Sequence, residues 1–308
     1  MNKVNFTLAL DEVGIGDIDK VGGKNASLGE MIQNLSSMGI RIPGGFVITV
    51  SAYHEFIGYN NLEGTIRHII NTIDYNNLES LRRGGSQVRL LIKNGRFPKE
   101  MGEAVITAYE AMSKTYGQEF TDVAVRSSAT AEDLPDASFA GQQETYLNVR
   151  GPASLMDAVR NCFSSLFTDR AISYRQSFKY DHFSVGLSLC IQKMVRSDLG
   201  SSGVAFSLDT ESGFREAVVI NGSFGLGEMI VQGSVSPDEF IVFKPALKKG
   251  FAAIIEKKLG IKDKMMVYGD KSDERVKIIP TEKGFQQRFC IQDELVIELA
   301  DWVVKIEE

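Results

Sequence analysis

Cysteine and proline are scarce in this chain of 308 residues. Their scarcity argues against a protein held together by disulfides or cysteine-bound metal, and against a proline-rich linker between domains. The three cysteines, Cys162, Cys190 and Cys290, are too few for a disulfide framework and too widely spaced for a C-x-x-C metal site. The seven prolines are spread along the chain and form no proline-rich linker. With 43% hydrophobic and 24% charged residues, the composition is that of a folded protein, and the length suggests two domains or subdomains of about 150 residues each.

Long apolar runs and an excess of positive charge are also lacking. No apolar run reaches the roughly 18 residues that a membrane-spanning helix needs. Residues 1–10 lack the apolar segment and small-residue cleavage site of a signal peptide. The net charge of −6 argues against binding to nucleic acid or to anionic membranes. We therefore expect a cytoplasmic protein with neither of these partners.

Glycine, by contrast, is abundant. The chain has 29 glycines, whereas a usual share of about 7% predicts roughly 22. The surplus serves either turns or places where the backbone must approach a ligand closely. In residues 17–38 a glycine loop precedes apolar residues at helical spacing, and Ser27 with Glu30 forms a candidate capping box. We therefore expect a helix that begins just after Lys24 and stops at Gly39.

Hydrophobic periodicity predicts helices in the first part of the chain and strands in the second. Residues 52–120 are mainly of helical pattern, residues 45–50, 122–126 and 145–149 are expected strands, and a helix follows Pro152. One face of a long strand is expected to carry Val185, Leu187, Leu189, Ile191 and Val195. Further strands are expected at residues 203–207, 217–221, 239–243, 252–256, 265–268 and 275–279, followed by a helix at 292–308. Helices followed by strands favour an α+β fold over a doubly wound sheet.

Two glycine-rich segments come close to familiar nucleotide-binding patterns but fail them. The segment around Lys24 ends like a Walker A loop, yet Ile18 occupies its first glycine position and Asn25 replaces serine or threonine. The segment that starts at Gly225 resembles a dinucleotide-binding fingerprint but has Ile230 where the third glycine belongs. P-loop and Rossmann folds are therefore disfavoured. Glycines before a helix N-terminus, with a lysine beside them, nevertheless favour a bound phosphate.

A second group of candidate residues follows the strand that ends near Arg126. Its guanidinium could bind two phosphate oxygens, while the hydroxyls of Ser127, Ser128 and Thr130 could wrap a polyphosphate. The alternative is a polar turn in which Arg126 forms a structural ion pair with Glu132 or Asp133. The residues themselves leave both interpretations open.

A third group, at residues 221–228, places glycines beside the carboxylate of Glu228. It could approach a nucleotide bound to Mg²⁺, or it could be a hairpin with glycine turns.

The three histidines, His54, His68 and His182, lie outside these groups and are expected to have packing or surface roles.

Several long strings, in matching order, resemble one family. They are VGGKNASLGEM (21–31), VRSSATAED (125–133), DASFAGQQET (136–145) and FGLGEMIVQG (224–233). They resemble the N-terminal, ATP-grasp-like nucleotide-binding domain of phosphoenolpyruvate synthases, which pyruvate phosphate dikinases and rifampin phosphotransferases share. The string MVRSD (194–198) adds to the likeness to the synthases. The resemblance implies two lobes, at residues 1–190 and at the strand-rich residues 191–308.

The resemblance also implies a reaction and roles for individual residues. The family converts ATP, pyruvate and water to AMP, phosphoenolpyruvate and phosphate through a phosphohistidine on a separate domain, so this chain is expected to be part of a phosphotransferase. By position, Lys24 and Arg126 should contact the ATP phosphates and act in transfer. The other implied ATP contacts are Ser127, Ser128, Thr130, Gly141, Thr145, Gln192, Lys193, Met194 and, less directly, Glu228.

The departures from the family pattern set the remaining expectations. The family domain continues with an acidic strand that holds Mg²⁺ and with a further phosphate-binding arginine strand, and this chain stops before both. We therefore expect a domain truncated at its C-terminal end, with the Mg²⁺ carboxylates in those strands and no metal ligand here. The phosphohistidine and pyruvate-binding domains are expected as partners, and full turnover by this chain alone is not expected. A non-catalytic nucleotide-binding module and the ATP domain of a rifampin-type phosphotransferase are the alternatives.

Overall fold

The computed structural model describes residues 5–129, 145–269 and 274–308, together with the backbone of the short strands Asp133–Leu134 and Ala137–Ser138. The chain divides into two compact units, of which the first ends at Met194 and the second runs from Val195 to Glu308. The division expected at residue 190 falls within a strand of the first unit.

The first unit combines helices with antiparallel strands. Its strands are β1 Thr7–Ala9, β2 Gly45–Ile48, β3 Val123–Ala129, β4 Asp133–Leu134, β5 Ala137–Ser138, β6 Thr145–Val149 and β7 Leu187–Lys193. Its helices are α1 Ile18–Val21, α2 Gly23–Leu35, α3 Val50–Tyr59, α4 Leu62–Asn71, α5 Leu78–Lys93, α6 Lys99–Thr115, α7 Pro152–Ser165 and α8 Asp169–Ser177. Short 3-10 helices precede α1 at Leu10–Glu12 and Ile15–Asp17, and another follows α2 at Ser36–Met38.

Five of these strands form one antiparallel sheet in the order β1-β2-β7-β3-β6. Residues of one face pack against the α3–α8 helices in the main apolar core; they include Phe46, Ile48, Val123, Val125, Leu187, Leu189 and Ile191. On the other face, Val47 and Cys190 pack with Val21 and Ala26 of α1 and α2. The central strands are therefore covered on both sides.

The second unit is built around a four-stranded antiparallel sheet in the order β11-β10-β9-β8. Its strands are β8 Ser201–Phe206, β9 Ala217–Phe224, β10 Asp238–Phe243, β11 Ile254–Lys258, β12 Lys264–Tyr268 and β13 Val276–Pro280, of which the last two form a separate hairpin. Its helices are α9 Glu228–Val231, α10 Lys244–Lys248, α11 Lys283–Gln286 and α12 Asp293–Glu307, with a 3-10 helix at Ser197–Leu199. Val296, Ala300 and Val304 recur every four residues along α12 and pack on the sheet core formed by β9 and β10.

This mixture of helices and antiparallel sheets confirms the α+β class. Two local predictions were wrong. The helix α2 begins at Gly23, before Lys24, so Ser27 lies inside it and cannot be its N-cap, and Glu30 accepts a hydrogen bond from the Ile15 amide at 3.4 Å. The strand β7 runs only from Leu187 to Lys193, so Val185 and Val195 both lie outside it. Val185 is nevertheless buried in the main core, whereas Val195 is 61% exposed.

Candidate functional site

The loop between α1 and α2 requires glycine at position 22. Gly22 has φ +75°, a backbone conformation that residues with a Cβ rarely adopt. A Cβ built there would lie 2.9 Å from the carbonyl oxygen of Ser128 in β3. The glycine therefore lets the loop that leads into α2 lie directly on the backbone of the central sheet.

The N-terminus of α2 can attract an anion. Gly22 is its N-cap and has no side chain with which to cap the helix, and the N–H groups of the first turn have no acceptor within the helix. The helix dipole makes this end of α2 positive. Lys24 lies in the same turn and is exposed, so it adds a full positive charge. Backbone donors and a lysine at one helix end are a suitable site for phosphate oxygens.

Arg126 lies on the sheet face that this loop covers. In the register of the sheet, Arg126 is opposite Cys190 of β7 and Thr145 of β6, and Ser128 is two residues further along β3. Residues two apart on a strand share a face and have Cα atoms about 7 Å apart. Since Ser128 contacts Gly22, the strand that carries Arg126 runs beneath the loop that carries Lys24. The structure thus places the two elements that carry Lys24 and Arg126, both predicted phosphate-binding cations, next to each other.

The side chain of Gln192 orients Arg126. Its Oε1 accepts a hydrogen bond of 3.3 Å from Arg126 Nη1, while its Nε2 donates to the Pro43 carbonyl at 2.9 Å. The two partners fix which end of the amide faces the arginine. The exposed guanidinium keeps its other donors on the same sheet face as Thr145. The alternative partners, Glu132 and the side chain of Asp133, lie outside the described residues.

The remaining predicted residues near the sheet are placed differently. Ser128 is 1% exposed, and its hydroxyl packs beneath Gly22. The side chain of Ser127 lies on the opposite face from Arg126, because neighbouring strand residues alternate. The same alternation turns Lys193 to that face, where its ammonium forms an ion pair with Asp122. The backbone N–H groups of Lys193 and Met194 donate to the carbonyls of Gly44 and Asp122, both at 3.0 Å.

A buried polar pair that the sequence reasoning did not find lies under the same loop. Asn25 donates from Nδ2 to the Val21 carbonyl at 2.9 Å and to Ser188 Oγ at 3.0 Å, and both side chains are buried. The hydroxyl of Ser188 also contacts the carbonyls of Val21 and Ser128. One signal for this pair was a serine within the otherwise apolar start of β7. Its partner, 163 positions away, has no signal in the sequence.

Cys190 lies beside Arg126 but is not reactive. Burial raises the pKa of its thiol to about 12, although the nearby Arg126 charge acts in the opposite direction. The thiol therefore remains protonated at neutral pH, and Cys190 packs with Val47 in the core beneath α2.

In the second unit, the glycines near Glu228 are used for packing. A Cβ on Gly222, in β9, would lie 2.8 Å from Cys290 Sγ, and one on Gly225 would lie 2.5 Å from the Met266 carbonyl oxygen. The segment leads from β9 into α9 and is not a hairpin turn. Glu228 accepts a hydrogen bond from Gln232 Nε2 at 2.8 Å. The other two predicted residues, Thr130 and Gly141, lie outside the described residues.

The described residues do not offer a metal site. Within residues 5–129, 145–269 and 274–308, no group of three or more histidine, cysteine or acidic side chains is arranged to hold a metal ion. In the same part of the chain, no helix has the length and apolar character required to cross a membrane.

The sequence belongs to a known family of nucleotide-binding domains. Residues 18–308 match the family described as pyruvate phosphate dikinase, AMP/ATP-binding domain, and the chain is a member of it. The family resemblance predicted from the glycine and arginine motifs is confirmed by this match.

Similar proteins include three phosphoenolpyruvate synthases. That of Aquifex aeolicus is 58% identical over 303 residues, that of Synechocystis is 50% identical over 305 residues and that of Escherichia coli K12 is 47% identical over 305 residues. Each match covers 98% of this chain but only 35%, 37% and 38%, respectively, of the relative. The chain therefore spans little more than a third of the length of these relatives.

Proposed function

We propose that this chain is the ATP-binding, phosphoryl-donating part of a phosphoenolpyruvate synthase. The observation that carries the proposal is Gly22, whose close approach to Ser128 sets the N-terminus of α2, which has no side-chain cap, over the strand of Arg126. The ATP phosphates would be bound by the backbone amides and lysine of this helix end together with the guanidinium of Arg126. The proposed fold is ATP-grasp-like, with the two compact units as its lobes.

In the proposed reaction, ATP, pyruvate and water give AMP, phosphoenolpyruvate and phosphate. Charge develops on the phosphoryl oxygens during transfer, and cations held in place beforehand stabilise it without reorganisation. Lys24 and Arg126 would have this role. The acceptor would be a histidine on another domain, as the family resemblance implies. Within this chain, His182 is buried and its Nδ1 accepts a hydrogen bond from Arg175 at 3.1 Å. Residues 5–129, 145–269 and 274–308 include no group of side chains arranged to hold a metal ion, and the roles described here are those of Lys24 and Arg126 alone.

Calorimetry of ATP binding to this chain tests the proposal. Replacing Lys24 or Arg126 with Ala removes hydrogen bonds between charged groups, each worth about 1.5–3 kcal/mol. The ATP dissociation constant should therefore rise about 10- to 100-fold in each variant. Lys20→Ala is the matched control, since Lys20 is exposed in the preceding helix and pairs with Asp17 at 2.7 Å. Unchanged ATP affinity in both site variants would refute the proposed phosphate contacts.

The role as a phosphoryl donor needs a second measurement. Radioactive label from ATP should pass to a supplied phosphohistidine domain of a relative, and Arg126→Ala should slow this transfer more than it weakens ATP binding. ATP binding without any transfer would instead favour a non-catalytic nucleotide-binding module.

A further inference from the structure

The structure assigns Asn25 and Ser188 a positioning role at this site: they fix the phosphate-binding loop to the strand that carries Arg126. The inference rests on the proposed function, because it concerns how Lys24 and Arg126 are held relative to each other. Neither residue is proposed to touch ATP.

Both hydrogens of the Asn25 amide are used within the protein. One is donated to the Val21 carbonyl at 2.9 Å and the other to Ser188 Oγ at 3.0 Å, with Asn25 only 2% exposed. Asn25 occupies the position at which a P-loop has its serine or threonine. Here the side chain is turned into the sheet instead, so its donors are not available to a phosphate.

Ser188 extends the link to two strands. It belongs to β7 and is fully buried, and its hydroxyl contacts the carbonyl of Val21 as well as that of Ser128 at 3.1 Å. Val21 immediately precedes Gly22, and Ser128 is two residues from Arg126 on β3. A chain of buried polar contacts therefore connects the start of the phosphate loop, β7 and β3.

Such a link is needed because the two cations are about a hundred positions apart in the sequence. Lys24 and Arg126 belong to different elements, and only tertiary contacts set the distance between them. Misplacement of a binding group by about 1 Å can reduce a rate about 100-fold. The contact of Gly22 with Ser128 sets how closely the loop approaches the sheet, and the Asn25–Ser188 pair sets where along β3 it lies.

The test compares ATP with adenosine, which lacks phosphates, by calorimetry on the full chain. In Asn25→Ala and in Ser188→Ala, the ATP dissociation constant should rise about tenfold or more, while that of adenosine should change less than about twofold. Since the two residues form one link, their effects should not add: the ATP dissociation constant of the double variant should be about equal to the larger of the two single-variant values. If Asn25→Ala does not fold, Ser188→Ala, which removes only a hydroxyl, still decides the question.

Asn60→Ala is the matched control for a purely structural effect. The Asn60 amide also donates to two backbone carbonyls, those of Phe56 and Arg96, both at 2.8 Å, but at the end of α3. This variant should lose thermal stability and keep its ATP affinity. Equal losses of ATP and adenosine affinity in Asn25→Ala would overturn the positioning role, as would unchanged ATP affinity in folded Asn25→Ala and Ser188→Ala.

Lys24→Ala and Arg126→Ala, measured in parallel, separate this inference from the proposed function. If they weaken ATP binding and the Asn25 and Ser188 variants do not, only the positioning role fails. If wild type does not bind ATP, or if neither cation variant changes the affinity, the proposed function fails and the inference fails with it.

Discussion

A fully buried ion pair in the second unit should be a major determinant of its stability. Asp238 and Lys262 are both 0% exposed, and the Lys262 ammonium contacts the Asp238 carboxylate. The same carboxylate accepts hydrogen bonds from the Gly260 amide at 2.8 Å and the Cys290 amide at 2.7 Å. It thus connects the start of β10 to the loop after β11 and to the segment that leads into α12.

The perturbation of choice is Asp238→Asn, which keeps the side-chain volume and removes the charge. It leaves the Lys262 ammonium buried without a counter-charge, with only neutral acceptors: the amide oxygen of the new side chain and the Gly260 carbonyl at 2.8 Å. The new amide NH2 also replaces a carboxylate oxygen that accepts from a backbone N–H. Breaking a buried pair from one side costs about 3–5 kcal/mol, because the other charge remains without compensation. Lys262→Met should cost a similar amount. The double variant should recover about 2 kcal/mol or more of the sum, because neither charge is then buried.

Urea denaturation followed by tryptophan fluorescence measures these free energies in the relevant unit. Trp302 is the single tryptophan of the chain and lies on α12, which packs on the same sheet as Asp238. Lys248→Met is the control, because its ion pair with Glu308 is exposed and should contribute less than about 1 kcal/mol. The reasoning is refuted if Asp238→Asn costs less than about 1 kcal/mol, or if the single effects simply add in the double variant.

Two further predictions concern the first unit. Gly22→Ala should lose more free energy of unfolding than Gly39→Ala, and of the two variants only Gly22→Ala should weaken ATP binding. Both glycines have positive φ, which costs alanine about 1–2 kcal/mol of strain. Of the two, only Gly22 has a close neighbour, the Ser128 carbonyl, against which a Cβ would clash. Equal effects in chemical denaturation would show that backbone strain alone matters. Burial, followed by the Arg175 charge, lowers the pKa of His182 from 6.5 to about 4. The unfolded chain then binds more protons between these values, so stability should be complete above pH 6.5 and fall by at most about 3 kcal/mol towards pH 4. His182→Asn should remove that part of the pH dependence in denaturation curves, and an unchanged slope would contradict the assignment.

Elements with one strong period could be predicted from the sequence almost to the residue. The strand at 145–149 coincides with β6, and the helix after Pro152 with α7. Tyr146 and Val149 of β6 and the buried residues of α7, such as Leu155, Val159 and Phe163, pack in the same main core, so the local pattern contains much of the necessary information. The same reasoning predicted only one buried face for β7, that of Leu187, Leu189 and Ile191.

The second face of β7 could not be predicted, because what covers it is distant in sequence. Ser188 and Gln192 are polar and would ordinarily indicate a solvated face, yet both are buried beneath residues from the first 45 positions of the chain. Their polar atoms are satisfied by Asn25 and by the Pro43 carbonyl, which only tertiary structure brings to them. The start of α2 was misplaced for a related reason. It depends on the conformation of Gly22, and that conformation depends on Ser128 of β3.

Placement also separates glycines that serve packing from the glycine of the proposed site. Gly222 and Gly225 let parts of the second unit approach one another, and a composition count cannot distinguish them from glycines at a ligand site. Gly22 differs because its close approach to β3 sets a helix end without a side-chain cap, in the turn of Lys24, on the sheet face of Arg126. Either cation alone would be an ordinary exposed charge of a protein with net charge −6. A phosphate would be recognised only where both are held together, so the glycine that lets the loop approach β3 is as much a part of the proposed site as the two cations.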